Sequence, residues 1–375
     1  MSNKQPVLNS AEPIFSQYLN ARAAAMGIPL SGHFELTNRC NFNCKMCYVH
    51  DNARQEGLSA AQWIDIGKSA VERGMVYLLL TGGEPILRSD FPEIYLGLQR
   101  LGLLISVNTN GSLISSEILE LYEKNPPMRV NVSLYGGCEE TYKKFCGSAS
   151  FQRVVSNIRK LRERGISVKV NCSVTPDNEG DIHQIYQICR ELEVPIQATS
   201  YMFPPVRING CKSGEAPARF TAEAAASAYL LCQEQVMTPE EILKSRGQDG
   251  DQEEKCTGAA PSPMHCRAGK TAFWVTWDGR MIPCGMMPVS GIPILETGFD
   301  RAWEDTRSYC KTLFEPAQCG QCPKRSQCPA CVASCIAETG SSMVRPEYVC
   351  RMVHHLDRLK VEKYGKGETE NETKS

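Results

Sequence analysis

Cysteine spacing constrains this chain more tightly than any other feature. The sequence holds 19 cysteines in 375 residues, and most of them fall in tight clusters. The stretch from Met1 to about Leu30 lacks the basic-then-apolar pattern of a secretion signal and contains Glu12. A cytoplasmic location is therefore expected, where thiols stay reduced. Reduced, clustered thiols are ligands for zinc or iron–sulfur clusters rather than halves of disulfides. No apolar run approaches the ~20 residues that a membrane span needs. A formal net charge of −1 gives no general pull toward nucleic acid or an anionic membrane, and neither is expected as a partner.

From residue 31 to 201, short apolar runs alternate with longer amphipathic ones. Strands are predicted over His33–Thr37, Met75–Leu80, Leu103–Asn108, Arg129–Leu134, Ile166–Val174 and Pro195–Tyr201. Ile166, Val168, Val170, Cys172 and Val174 alternate strictly, as do Val130, Val132 and Leu134. Helices between them have readable ends. Ser59 with Gln62 forms a capping-box pattern, and Gly74 stands where a helix ends. Asp90 with Glu93 opens another helix, and Phe151, Val155, Ile158 and Leu161 make the apolar face of a third, closed by Gly165. Strands alternating with helices imply a parallel α/β sheet, a partial barrel or a doubly wound one, with chemistry at the carboxyl ends of the strands.

The unusual residues fall at those ends. The segment CNFNCKMCY, with Cys40, Cys44 and Cys47 spaced C-x3-C-x2-C, follows the first strand. Gly82, Gly83, Glu84 and Pro85 follow the second, Thr109 and Asn110 the third, and Ser133 ends the fourth. Three thiolates on one short loop suit one corner of a cubane cluster and leave an iron open to a small molecule. A zinc site would lack a fourth cysteine, and His50 is the one histidine nearby.

These residues resemble the radical S-adenosylmethionine superfamily, whose signature is this cysteine spacing on this loop. The resemblance implies a partial (β/α)6 TIM-like barrel. It also implies a 4Fe–4S cluster on Cys40, Cys44 and Cys47, whose open iron binds the methionine end of S-adenosylmethionine. One electron then breaks a C–S bond of that cofactor, giving a 5′-deoxyadenosyl radical that abstracts hydrogen. The family's aromatic residue before the last cysteine is replaced by Met46, with Tyr48 following. By position, Gly82, Gly83, Glu84 and Pro85 match the segment that meets the cofactor's amino group. Thr109, Asn110 and Ser133 match polar groups around the cofactor.

A second cysteine-rich stretch carries Cys266, Gly279 followed by Cys284, then Cys319, Cys322, Cys328, Cys331, Cys335 and Cys350. It resembles the SPASM extension of radical enzymes that modify peptides. These eight thiols suffice for two auxiliary 4Fe–4S clusters, although Cys256 is a further ligand candidate that would leave Cys331 or Cys335 spare. A zinc ribbon is the alternative for the C-x2-C pairs. Among the other cysteines, Cys172 and Cys189 read as small core residues, and Cys138, Cys146 and Cys211 as loop residues. The segment FWVTWDG, residues 273–279, reads as a hairpin packed near a cluster. The resulting organisation is an N-terminal extension (1–30), a radical barrel core (31–236), a linker (237–263), an auxiliary-cluster domain (264–352), and a helix end with a frayed tail (353–375).

The resemblance points to a peptide or protein substrate that is crosslinked, joined by a thioether or oxidised. It also implies a flavodoxin- or ferredoxin-type electron donor. The ~30 residues before the first strand are too few for a leader-binding domain, so a separate leader-binding protein is expected. Anaerobic sulfatase maturases are similar in length and layout but carry an aspartate where this chain has Gly285. Maturation of a haem- or quinone-type cofactor is the alternative substrate class, and an electron-transfer scaffold the non-enzymatic one.

Overall fold

The computed structural model describes residues 14–49, 57–204, 219–246 and 261–365. The chain opens with α1 (Ile14–Met26) and then alternates: β1 (Ser31–Glu35), α2 (Ala60–Glu72), β2 (Tyr77–Thr81), α3 (Phe91–Arg100), β3 (Leu104–Thr109), α4 (Ser116–Lys124), β4 (Arg129–Ser133). Next come α5 (Glu139–Cys146), α6 (Phe151–Glu163), β5 (Val168–Ser173), α7 (Ile182–Glu191), β6 (Ile196–Thr199) and α8 (Ala222–Glu234). All six predicted strands are present, with ends shifted by at most two residues.

Strands β1 to β6 are parallel neighbours in chain order. Right-handed crossovers then place every connecting helix on the same face of the sheet, which is the geometry of a partial barrel. The helix-facing side chains are uniformly apolar. Phe34, Leu80, Val107, Val132 and Val170 are fully buried, in one cluster with Trp63 of α2, Leu98 of α3, Tyr122 of α4 and Leu161 of α6. The opposite positions of β4 and β5 are polar (Asn131, Ser133, Lys169, Asn171), a pattern that strands covered on both faces do not show.

Local signals explain most helix ends. Ser59 and Gln62 close the expected capping box on α2, and Gly74 (φ +98°) ends it. Asp90 precedes α3 but makes no capping bond, because its carboxylate is held by Arg88 at 2.7 and 2.8 Å. In α6 it is Val154 that is fully buried, while Val155 is half-exposed.

The C-terminal part does more than the sequence suggested. Pro239–Lys244, within the stretch read as a linker, is a capped helix, α9. After the short strand β7 (Ser262–Pro263), the hairpin of β8 (Ala272–Val275) and β9 (Arg280–Ile282) does form, but β8 pairs parallel to β1. With β10 (Ile292–Pro293) it extends the barrel sheet to nine strands. Then follow α10 (Ile294–Thr297), α11 (Phe299–Lys311), β11 (Phe314–Glu315, paired with β7), α12 (Ala317–Gly320) and α13 (Val332–Thr339). The last helix, α14 (Glu347–Tyr364), runs unbroken across residue 353, where the sequence suggested a boundary, and packs along α8. The N-terminal extension is also tied down: Trp303 Nε1 donates to the Gly27 carbonyl at 2.8 Å, and Thr271 Oγ1 to Asn20 at 3.1 Å. Among the described residues no helix is long and apolar enough to cross a membrane.

A buried ion network fixes α14. Asp357 accepts from Lys324 Nζ at 2.7 Å and from Arg246 Nε at 3.0 Å. These cations hold its carboxyl below the usual range against the opposing effect of burial. Lys324 is only 2% exposed. Asp357→Asn strands that cation and should cost roughly 3 kcal/mol, read as a lower melting temperature of the full chain. Unchanged melting would contradict the network's structural role.

Candidate functional site

The loop after β1 carries Cys40, Cys44 and Cys47, and it is pinned to the end of α5. Asn43 N–H donates to the Cys146 carbonyl at 2.9 Å, and Lys45 N–H to that of Phe145 at 3.2 Å. Lys45 Nζ also pairs with Asp177, beyond β5, at 3.0 Å. Buried Phe42 meets Tyr142 of α5 edge-on. These ties hold the three cysteines over the carboxyl edge of the sheet. Cys146, expected in a loop, is instead the fully buried last residue of α5.

The turn after β2 presses against this loop. Gly83 N–H donates to the Thr37 carbonyl at 2.7 Å and Glu84 N–H to that of Arg39 at 2.8 Å. Gly82 has φ +141°, and a Cβ there would lie 2.5 Å from the Thr37 oxygen; one on Gly83 would overlap the Arg39 carbonyl. The two glycines let this turn lie against the backbone of the cysteine loop. Pro85 begins a short 3₁₀ turn, Pro85–Leu87, and is buried.

Glu84 is wholly buried and turned inward. Its carboxylate accepts from Thr109 Oγ1 at 2.8 Å, Asn110 N–H at 2.7 Å and Ile86 N–H at 3.1 Å, joining the ends of β2 and β3. Burial outweighs these bonds and raises its pKa to about 7. Asn110 Nδ2 reaches Asn41 at 2.8 Å and Cys40 Sγ at 3.7 Å, and Asn110 Oδ1 accepts from Ser112. Ser133 Oγ accepts from the Tyr135 hydroxyl at 3.1 Å. The loops after β1, β2 and β3 therefore form one hydrogen-bonded unit, while Ser133 stands apart on β4.

The thiols are suited to a cluster. Cys40 Sγ accepts from Phe42 N–H at 3.4 Å and from Asn110, the kind of donor that supports a metal-bound sulfur. Burial pushes the Cys40 thiol up to about 12. A hydrogen bond with Cys146, followed by burial, raises that of Cys44. Loading metal on these thiols must displace their protons.

Of the second set, Cys319, Cys322, Cys328 and Cys350 line one cavity of ≈ 40 Å³, with Arg325, Arg345 and His354 beside them. Burial raises Cys319 and Cys350 to about 11. Cys284 and Cys331 pack on a separate buried cluster, Cys266 is exposed, and Cys335 is buried on α13. Among the described residues no three His, Cys, Asp or Glu side chains converge closely enough to hold a single ion. Cys211, Cys256 and His50 lie outside the described residues.

The polar inner face of the sheet was not singled out from sequence, although the strict alternation of β4 and β5 was its signal. In register across adjacent strands stand Asn108, Asn131 and Lys169, then Ser133, Asn171 and Gln197. Asn131 Nδ2 donates to Asn108 at 2.8 Å, and Lys169 Nζ to Gln197 at 2.7 Å. Burial and the nearby Arg129 cation both lower the Lys169 pKa. Among the described residues neither cation meets a carboxylate. On β1, His33 stacks on Trp274 of β8 with centroids 4.9 Å apart. That indole also fills the space where a Cβ on Gly285 would stand, 2.9 Å away.

Comparisons with known proteins agree with this arrangement. Residues 34–189 match the radical SAM superfamily. The chain is 27% identical over 338 residues to an AdoMet-dependent heme synthase of Methanosarcina barkeri, covering 84% of this chain and 94% of that protein. It is 32% identical over 163 residues to a probable GTP 3′,8-cyclase of Metallosphaera sedula, spanning about half (51%) of that protein's length. In fold it is similar to Streptococcus suis SuiB bound to precursor peptide SuiA (TM-score 0.66, 15% identity, 93% of this chain and 84% of that one). It is also similar to anSMEcpe with bound AdoMet and Cp18Cys peptide (TM-score 0.65, 16% identity, 89% and 97%).

Two outcomes follow from the loop unit. Gly83→Ala must displace the Arg39 carbonyl and with it the cysteine loop, so iron after anaerobic reconstitution should fall by about four per chain. Full retention would refute that coupling. Glu84 keeps its proton to about pH 7 in the fold but only to 4.5 when unfolded. Its contribution to stability is thus complete below pH 4.5 and is lost as pH rises through about 7. Urea denaturation of the metal-free chain should show this loss, on the order of 3 kcal/mol, and Glu84→Gln should flatten it.

Proposed function

We propose that this chain, whose residues 34–189 match the radical SAM superfamily, is a radical S-adenosylmethionine enzyme that modifies a peptide or protein. When bound, the 4Fe–4S cluster and S-adenosylmethionine supply a 5′-deoxyadenosyl radical that takes hydrogen from a substrate carbon. Cys40, Cys44 and Cys47 hold that cluster, with Asn110 and Phe42 N–H supporting Cys40. The backbone of Gly82–Pro85, the Thr109–Asn110 turn and Ser133 border the cofactor. Glu84 serves as a positioning residue, because its carboxylate is committed to the strand ends.

The observation that carries the peptide reading is the flank of the sheet at β6. Among the described residues β6 is an edge strand, and its Gln197 and Thr199 are exposed beside the polar inner face. An edge with free backbone groups accepts an extended chain, whereas a small molecule is better served by an enclosed cavity. The neighbours in fold include proteins solved with peptides. Formylglycine formation is disfavoured, since Trp274 fills the space beside Gly285 where an aspartate would need to stand. A separate leader-binding protein and a flavodoxin- or ferredoxin-type donor complete this reading.

Two auxiliary clusters belong to the same proposal. Cys319, Cys322, Cys328 and Cys350 line one cavity, yet among the described residues no three such side chains converge on a single ion, which favours a cluster over one zinc ion. The arginines beside the cavity favour thiolates.

A second reading, a small carboxylate-bearing cofactor precursor, has specific support. The heme synthase match runs nearly end to end, and Arg129 and Lys169 offer two cations on the inner face. An anaerobic assay of 5′-deoxyadenosine release separates the two. The proposal expects a cysteine-containing peptide of ~20 residues to stimulate release and a porphyrin carrying carboxylates to have no effect. The reverse result, abolished in the Arg129→Gln/Lys169→Gln double variant, would overturn it.

A further inference from the structure

The cavity thiols Cys319, Cys322, Cys328 and Cys350 make a complete set for one cluster. Of the ligands expected for the other, Cys284 and Cys331 pack on a small buried cluster that includes Met264, Met287, Val332 and Cys310. Cys335 does not belong to that group and is buried on α13. Cys310 stands in the last turn of α11 and is 6% exposed.

Three observations turn Cys310 toward this group. Its Sγ lies directly against Gly269, three residues after Cys266, so that any Cβ on Gly269 would overlap it. The backbone there has φ +65°, which favours glycine, so the chain beyond Cys266 is shaped to pass over this sulfur. Cys310 shares its small buried cluster with Cys284 and Cys331. Lys270, whose Nζ bonds the Met264 carbonyl, puts a cation near Cys266 and Cys310.

We propose that Cys310 is the fourth ligand of the second auxiliary cluster, with Cys266, Cys284 and Cys331, and that Cys335 is not a ligand. The assignment rests on the reading that residues 264–352 hold two auxiliary clusters. Each coordination replaces an S–H bond by an S–Fe bond and releases one proton, with no electron transferred. Lys270 favours the thiolate form, and the apolar wall of Met264, Met287 and Val332 keeps water from Cys284, Cys310 and Cys331.

The test uses the full chain, anaerobically reconstituted, with Cys40, Cys44 and Cys47 replaced by alanine so that only auxiliary iron is counted. This parent should hold about eight irons per chain. Adding Cys310→Ala should remove about four, or leave an incomplete cluster whose electron paramagnetic resonance spectrum changes on adding imidazole. Cys310→Ser, which keeps the side-chain volume, should show the same loss if the alanine variant folds poorly by circular dichroism. Cys335→Ala and Cys256→Ala should keep the parent's iron and spectrum. An unaltered Cys310→Ser spectrum, with the loss appearing in Cys335→Ala or Cys256→Ala, overturns the ligand assignment alone. A parent with zinc and no auxiliary iron overturns the two-cluster reading and this assignment together.

Discussion

Everything in this protein depends on the fact that β1 to β6 follow one another in space as they do in the chain. With right-handed crossovers, that order sends every helix to one face and leaves the other for chemistry. The apolar row on each strand, Phe34 through Val170, serves the helix face. The alternate row, with Asn108, Asn131, Lys169 and Asn171, is thereby freed from packing. A doubly wound sheet would have buried both rows, and the polar alternation of β4 and β5 is incompatible with it.

At the carboxyl edge, the loops are held by polar bonds rather than apolar packing. The Glu84 carboxylate gathers donors from the ends of β2 and β3, and the two glycines before it allow the β2 turn to lie on the backbone of Thr37–Arg39. Asn110 carries the network on to Asn41 and Cys40. Three loops that are separate in sequence become one rigid support for the cysteines. Such preorganisation matters for a site that must place a reactive cofactor against one substrate atom.

The second cysteine-rich unit is not appended to the barrel but built into it. Strand β8 pairs with β1, Trp274 stacks on His33, and α14 lies along α8 under the Asp357 network. This interlock sets the auxiliary cysteines at a fixed position relative to the barrel. It also places Cys319, Cys322, Cys328 and Cys350 on one cavity and packs Cys284 and Cys331 on a separate buried cluster, a division that spacing along the chain left open.

The sequence by itself determined the six strands, because period-two alternation is a local property of a half-buried strand. It also determined the cysteine loop and the strand-end turn, because loop cysteines at fixed short spacing and paired glycines have few other uses. The Ser59 cap was equally local. Only the tertiary structure decided matters that depend on residues far apart. Asp90 looked like a cap until Arg88 took its carboxylate. The Glu84 carboxylate reaches Thr109 and Asn110, 25 and 26 residues on, through a burial that no local window shows. FWVTWDG read as a hairpin alone, since nothing local reveals that β8 will pair with a strand about 240 residues earlier. Long-range pairing and burial are set by the whole packed core, and a short window of sequence carries no record of them.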